Sequence, residues 1–401
     1  MTDPKSHSEN PEARNFRGEG GGPGRVYIVK CEDYDQVEKK LRDLLEMMGG
    51  IGRFVKPGQR IILKPNLLLA ARPEKAVTTH PAVVAAMGKI AREITPKIGL
   101  IDSPGSGYAY NRKALEKTYR TCGMQEAADE AGLELSYDES FETVSFPAGT
   151  LVKQFSIITP IRTCDGYINL CKMKTHGLTF MTGATKNIFG LIPGRAKVGY
   201  HGTMTTRELF AAMLLDLMAL APPKLTIMDA VIGMEGEGPS GGRPRRIGLL
   251  IASDDPLALD IVASEIMGLP QERNPLLTEA KKRNLHPSGL EDVDVIGVPK
   301  EQLRIEGFKL PSSFAKERFH LSALFAPVAK SFFTVDPRII KTKCTACGAC
   351  RDACPRDAIT VDETAEIDKK KCIRCYCCHE MCAYNAVELH RSLFYRIMNK
   401  T

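Results

Sequence analysis

At 401 residues the chain can build one sizeable α/β core with a small accessory domain, or two medium domains. Its formal charge of +7 permits acidic partners, but no aromatic-studded basic stripe accompanies it, which sets nucleic acid aside. The most apolar run, residues 209–221, is interrupted by Asp216 and is too short to span a bilayer, so no transmembrane segment is expected.

Residues 1–24 are polar and rich in glycine and proline, without the apolar stretch of a signal peptide. They read as a disordered tail on a cytoplasmic protein. From residue 25 onward short β-rich runs alternate with helical periods. Strands are expected at 25–30, 60–64, 98–102, 166–170, 225–229 and 247–252. Helices are expected at 34–48, with Val37, Leu41, Leu44 and Leu45 on one face, and at 81–93, 206–220 and 256–267. Strands separated by helices imply one α/β domain, residues 25–310, whose mainly parallel sheet is covered on both faces. Residues 311–335 mix seven Phe and Leu side chains with Lys and Arg and read as an amphipathic connector, packed against both domains or lying on a membrane surface. A small α+β domain at 336–390 and a tail at 391–401 complete the chain.

Nine of the thirteen cysteines crowd between Cys344 and Cys382, which favours metal ligation over disulfides. Cys344, Cys347, Cys350 and Cys354 follow C-x2-C-x2-C-x3-C, and Cys372, Cys375, Cys378 and Cys382 repeat the spacing. In that pattern three cysteines wrap one [4Fe–4S] cubane and the fourth reaches the other. One cluster is therefore assigned Cys344, Cys347, Cys350 and Cys382, and the second Cys372, Cys375, Cys378 and Cys354. Residues 357–367 between the quartets read as a short hairpin. Zinc would want two pairs of ligands and not two close quartets. The second half departs twice: Ala383 stands where Pro355 does, with a free N–H that could donate to a cluster sulfide, and Cys377 adds a ninth thiol, read as a spare.

In the large domain, short polar motifs fall just after expected strands, where open parallel sheets bind ligands. Lys64, Asn66, Asp102, Lys172, Lys174, Lys186, Asn187 and Arg195 would converge on a carboxylate or phosphate. His176 or His201 would handle protons, and Asp229, Glu235 and Glu237 would answer the charges or hold a divalent ion. The loop 234–239 reads equally as a flexible lid or a plain solvent loop. Cys171, beside Lys172, is the one isolated thiol with a candidate reactive setting. Dinucleotide, Walker A and nucleophile-elbow signatures are absent from the sequence.

Lys64-Pro65-Asn66-Leu67, Thr79-His80-Pro81, Asp102-Ser103-Pro104-Gly105, Lys172-Met173-Lys174-Thr175-His176, Lys186-Asn187-Ile188-Phe189-Gly190 and Met234-Glu235-Gly236-Glu237-Gly238-Pro239 resemble the iron–sulfur proteins carrying domain of unknown function 362. The resemblance implies cluster binding, a C-terminal two-cluster ferredoxin domain and a prokaryotic cytoplasmic setting. It brings no substrate. The residues themselves point to electron transfer between the clusters and an anionic substrate anchored by Lys172, Lys174 and Lys186, with His176 as proton donor. A carrier that only docks a redox partner protein, a redox-sensing regulator, and an isomerase with structural clusters stay open beside it.

Overall fold

The computed structural model describes residues 24–105, 109–194, 196–315 and 335–391. The tails at both ends, most of the connector expected at 311–335, and Arg195 lie outside them.

Eleven strands precede the connector: β1 Gly24–Lys30, β2 Ile61–Lys64, β3 Ile98–Leu100, β4 Glu134–Leu135, β5 Phe141–Ser145, β6 Gln154–Ile158, β7 Gly166–His176, β8 Phe180–Thr182, β9 Leu225–Glu235, β10 Arg243–Ser253 and β11 Val293–Ile296. Nine form one sheet, in the order β11-β1-β10-β9-β7-β2-β3-β4, with β8 added to β7. β9, β7, β2, β3 and β4 run parallel, as the alternation of strands and helices implies. The exceptions are β10, antiparallel to both β9 and β1, and the short β8, antiparallel to β7.

Strand alternation divides the core into two layers. On β7, Tyr167, Cys171 and Met173 face one apolar cluster, and Ile168 and Leu170 face the other. The first is roofed by the helices Arg207–Leu220 and Pro256–Ile266. The second is covered by Val37–Met47 and Pro81–Arg92, with Val37, Leu41, Leu44 and Leu45 buried as their spacing requires. The helices Arg112–Thr121 and Met124–Ala131 and the β5–β6 hairpin were not foreseen.

Asp216 shows how the polar interruption of the helix Arg207–Leu220 is accommodated. Its carboxylate accepts the backbone N–H groups of Thr150, Leu151 and Val152 and pairs with Arg283 at 2.7 Å. The loop between β5 and β6 is thereby fastened to a helix that is otherwise apolar.

The C-terminal region has two short antiparallel sheets, β12 Val335–Ile339 with β15 Val387–Arg391, and β13 Ile359–Val361 with β14 Ala365–Ile367. The second is the expected hairpin. The helical turns Ala349–Asp352 and Cys377–Glu380 occupy equivalent places in the two halves. Matching left-handed residues recur as well: Ala346 with Arg374, Gly348 with Tyr376, and Asp357 with Asn385. The cysteine repeat is thus a backbone repeat.

Replacing Asp216 by Ala removes the acceptor of the buried Val152 N–H and of the part-buried Thr150 and Leu151 N–H groups, and leaves Arg283 with Glu279 as its remaining carboxylate, so the α/β core should lose about 1–3 kcal/mol. Urea denaturation of the variant and the parent, followed by far-UV circular dichroism, measures the difference.

Candidate functional site

The C-terminal ends of β2, β3 and β7 meet the C-terminal region at a pocket of about 430 Å³. Its wall includes Asn66, Asp102, Lys174, His176, Lys186 and Asn187, so six of the residues singled out from the sequence come together. Lys64 lies just behind them, fully buried and 2.8 Å from Asp102 Oδ1. Asp102 also accepts the Leu67 N–H at 2.8 Å, tying the loop after β2 to the loop after β3. Gly190 is required here, because a Cβ on it would stand 2.0 Å from Asp102 Oδ1 and 2.6 Å from Lys64 Nζ.

Lys172, Lys174 and His176 are not in a loop after the strand; they are its last turns, since β7 runs on to His176. Pairing with β9 shifts register between Lys172 and Lys174. Lys172 lies away from the pocket, 2.7 Å from Asp229 and 3.0 Å from the Tyr34 hydroxyl. Asp229, expected at a strand end, sits inside β9 and also accepts the His80 N–H. Glu235 is outside the pocket too, accepting the Lys309 N–H at 3.1 Å. Glu237 holds Ser312 through both its N–H and its hydroxyl. Among the described residues no group of three or more His, Cys, Asp or Glu side chains closes on a point, as a single divalent ion would need. Burial pushes the Cys171 thiol well above its ordinary range, which makes it an inert core residue.

A chain of amides crosses the pocket's base. Asn169 Nδ2 donates to Ala184 O at 3.0 Å, Asn187 Nδ2 to Asn169 Oδ1 at 2.7 Å, and Asn66 Nδ2 to Asn187 Oδ1 at 2.8 Å. Lys174 Nζ completes it, donating to Asn66 Oδ1 at 2.8 Å and to Val77 O at 2.5 Å. Burial, then the charges of Lys186 and Lys172, hold Lys174 well below the usual lysine range. Lys186 lies over the rings of Phe189 and Phe210, at 5.1 and 5.4 Å from their centroids. Among the described residues it has no hydrogen-bond or ion-pair partner, which leaves its head for a ligand.

Two wall residues escaped sequence reasoning. Lys197, from the helix Ala196–Thr203, donates to Ser103 O, Ser103 Oγ and Pro104 O at 2.6–2.9 Å. Glu380 belongs to the C-terminal region, on the helical turn Cys377–Glu380, and its Oε1 is 3.0 Å from His176 Nε2. His176 Nδ1 accepts the N–H groups of Leu178 and Thr179, so its proton sits on Nε2, the nitrogen 3.0 Å from Glu380. Burial depresses the His176 pKa to about 4 and keeps the ring neutral. Burial pushes Glu380 up, but His176, Lys186 and His201 outweigh it and keep the carboxylate ionised. His201 is buried in a stack on Phe210, outside the pocket wall.

The loop 234–239 is neither lid nor free solvent loop. With Ser240 it clasps the C-terminal region: Ser240 Oγ donates to Glu380 O at 2.9 Å, and His379 Nε2 meets Glu237 O at 3.1 Å. An apolar seam of Leu69, Ala71, Val77 and Met234 against Ala353, Cys377 and Met381 seals the contact.

The cysteines line two further cavities. One, of about 350 Å³, is bounded by Cys344, Cys347, Cys350 and Cys382. The other, of about 320 Å³, is bounded by Cys354, Cys372, Cys375 and Cys378. Apolar residues such as Ile339, Val361 and Val387 surround the first, and Ile359 and Ile367 the second. Backbone N–H groups already point at the sulfurs: Ala358 to Cys354 at 3.3 Å, Ala386 to Cys382 at 3.1 Å, and Ala365 to Cys344 at 3.4 Å. Ala358 and Ala386 are equivalent donors in the two halves of the repeat. Thiolate donors, apolar walls and N–H···S contacts are what a [4Fe–4S] cubane needs from its protein.

Comparison with known proteins agrees with this chemistry. Residues 337–360 match the 4Fe-4S binding domain, and residues 61–265 match the domain of unknown function DUF362. A thylakoid-associated protein of Synechocystis sp. is 32% identical over 319 residues, which are 77% of this chain and 94% of the relative. The lactate racemase apoprotein of Thermoanaerobacterium thermosaccharolyticum superposes with a TM-score of 0.41 at 12% identity, over 64% of this chain and 59% of that one, less than two thirds of its length. That likeness is too slight to bear on the site. The matched half of the chain and the close relative make this protein a member of the DUF362 family, with an iron–sulfur domain of the 4Fe-4S ferredoxin type at its C-terminal end.

Proposed function

We propose that the protein holds two [4Fe–4S] clusters, in the domain at residues 336–390, and transfers electrons between a redox partner and a small anionic substrate in the pocket of the domain at residues 25–310. One observation carries the reading: the helical turn that presents Cys377 and Cys378 also delivers Glu380 into the pocket wall. A cluster-binding unit serving only as an external carrier has no need to complete another domain's cavity. Bound clusters would supply one-electron transfer at low potential.

The chain's own residues supply the rest. Lys186 receives a carboxylate or a similar anion, backed by the rings beneath it. His176 is held neutral by the two N–H groups on Nδ1 and orients Glu380. The amide chain fixes Lys174. The two quartets also differ in setting. Cys347 and Tyr384, at 53% exposure, put the first quartet at the surface, where a partner protein can approach. The second adjoins the seam with the large domain. Electrons would therefore enter or leave at the first quartet and meet the substrate through the second.

The carrier reading keeps the clusters and drops the substrate. In that case Lys186 and Glu380 would be indifferent to small anions. Among the described residues no helix is long and apolar enough to cross a membrane.

Anaerobically purified protein should contain about eight iron and eight sulfide per chain. Cys344→Ser and Cys372→Ser should each remove about half of the iron, while Cys377→Ser should keep all of it. Colorimetric iron assay decides, and about four iron in the parent would overturn the two-cluster reading. Small carboxylates such as oxalate or pyruvate should perturb the electron paramagnetic resonance of the reduced protein. Lys186→Met should abolish that effect. A spectrum blind to every anion tried would favour the carrier.

A further inference from the structure

The amide chain that ends on Lys174 has only one self-consistent orientation. Ala184 O can only accept, so Asn169 must turn its Nδ2 toward it and its Oδ1 toward Asn187. Each amide then repeats the choice, and Asn66 is left showing Oδ1 to Lys174. The other neighbour, Val77 O, also accepts only. A neutral amine has two N–H bonds, and these two acceptors use both, leaving one lone pair. An ammonium would carry a third N–H with no acceptor, in a fully buried position where its strongest charged influences are the like charges of Lys186 and Lys172. Lys64 and Lys172 differ in this respect, each having a carboxylate within 2.8 Å. Lys174 lines the pocket, so the lone pair is offered to whatever the pocket holds.

We propose that Lys174 Nζ is a nucleophile that captures a small 2-oxo acid as an imine, with Lys186 receiving the acid's carboxylate. The C–N bond forms as the carbonyl π bond breaks. The carbonyl oxygen leaves as water, taking the two amine hydrogens, and no electrons are exchanged with the clusters. If the imine takes up a proton, one N–H remains, and Asn66 Oδ1 or Val77 O can accept it. The carboxylate that arrives with the substrate adds a negative charge beside Lys186, which has no ion-pair partner among the described residues. The inference rests on the pocket described above for its anion specificity, and adds to it the class of substrate and a covalent step.

The test uses the full-length protein with its clusters oxidised, glyoxylate as the probe, and cyanoborohydride, whose hydride adds to the C=N bond to give a stable secondary amine. Peptide mass spectrometry at neutral pH should find one saturable adduct, on Lys174. It should form about tenfold faster than on exposed lysines, because a neutral amine needs no deprotonation before attack. Acetaldehyde, which lacks the carboxylate, should need a higher concentration to saturate the same residue. Lys174→Arg should lose the adduct while retaining the visible absorption of the clusters. Adducts spread over surface lysines, with Lys174 unmodified, would overturn the proposal. If the carboxylate effect on the reduced clusters persisted in that case, electron transfer to an anionic substrate would still stand. If both failed, the pocket reading itself would fall.

Discussion

The structure is organised by a crowd of buried lysines around the C-terminal ends of its central strands. Lys64, Lys172, Lys174 and Lys197 are all buried, at most 2% exposed, and Lys186 stands among them. Removing an ammonium from water costs several kcal/mol unless a counter-charge or good acceptors replace the solvent. Two of the five are matched by carboxylates inside the same domain, Asp102 and Asp229. Lys174 and Lys197 have backbone carbonyls and neutral side-chain oxygens instead. Lys186 is acted on most strongly, among charged groups, by Glu380 from the other domain. The docking of the C-terminal region is therefore an electrostatic completion of the pocket as well as an apolar contact.

Much of this was legible in the sequence, for identifiable reasons. The cysteine spacing determines the geometry directly, because three thiols that close together in the chain can only converge around one cavity. The structure forms the two cavities with the crossed fourth cysteines, Cys382 and Cys354. Helices such as Val37–Met47 were readable from one-sided apolar spacing. The ends of β7 and β9 were not. Lys172, Lys174 and His176 look like loop residues because no local rule tolerates them inside a buried strand. Only partners distant in sequence, Asp229, Asn66 and Glu380, make that position affordable. The register shift that separates Lys172 from Lys174 is likewise a property of the pairing with β9. It turned one expected anchor into a structural ion pair. The antiparallel direction of β10 carries no composition signal at all.

Glu380 was the costliest omission, and the internal repeat explains both its disguise and its role. Arg351 and Asp352 of the first half correspond to His379 and Glu380 of the second. In the first half the two side chains are exposed and pair with each other at 3.0 Å. In the second half both are buried, His379 reaching Glu237 O and Glu380 reaching His176. Ala349 corresponds to Cys377 and Ala353 to Met381, and Ala353, Cys377 and Met381 pack into the seam with the large domain. The spacing of the cysteines is the same in both halves, so a search by spacing sees only symmetry. The positions between them have diverged on the side that meets the domain. A duplicated unit whose two halves had the same neighbours would have no physical reason to differ there. Here the outer half keeps an exposed ion pair beside a solvent-facing cavity. The inner half replaces it with a buried carboxylate one methylene longer, directed into the pocket where Lys174 and Lys186 stand.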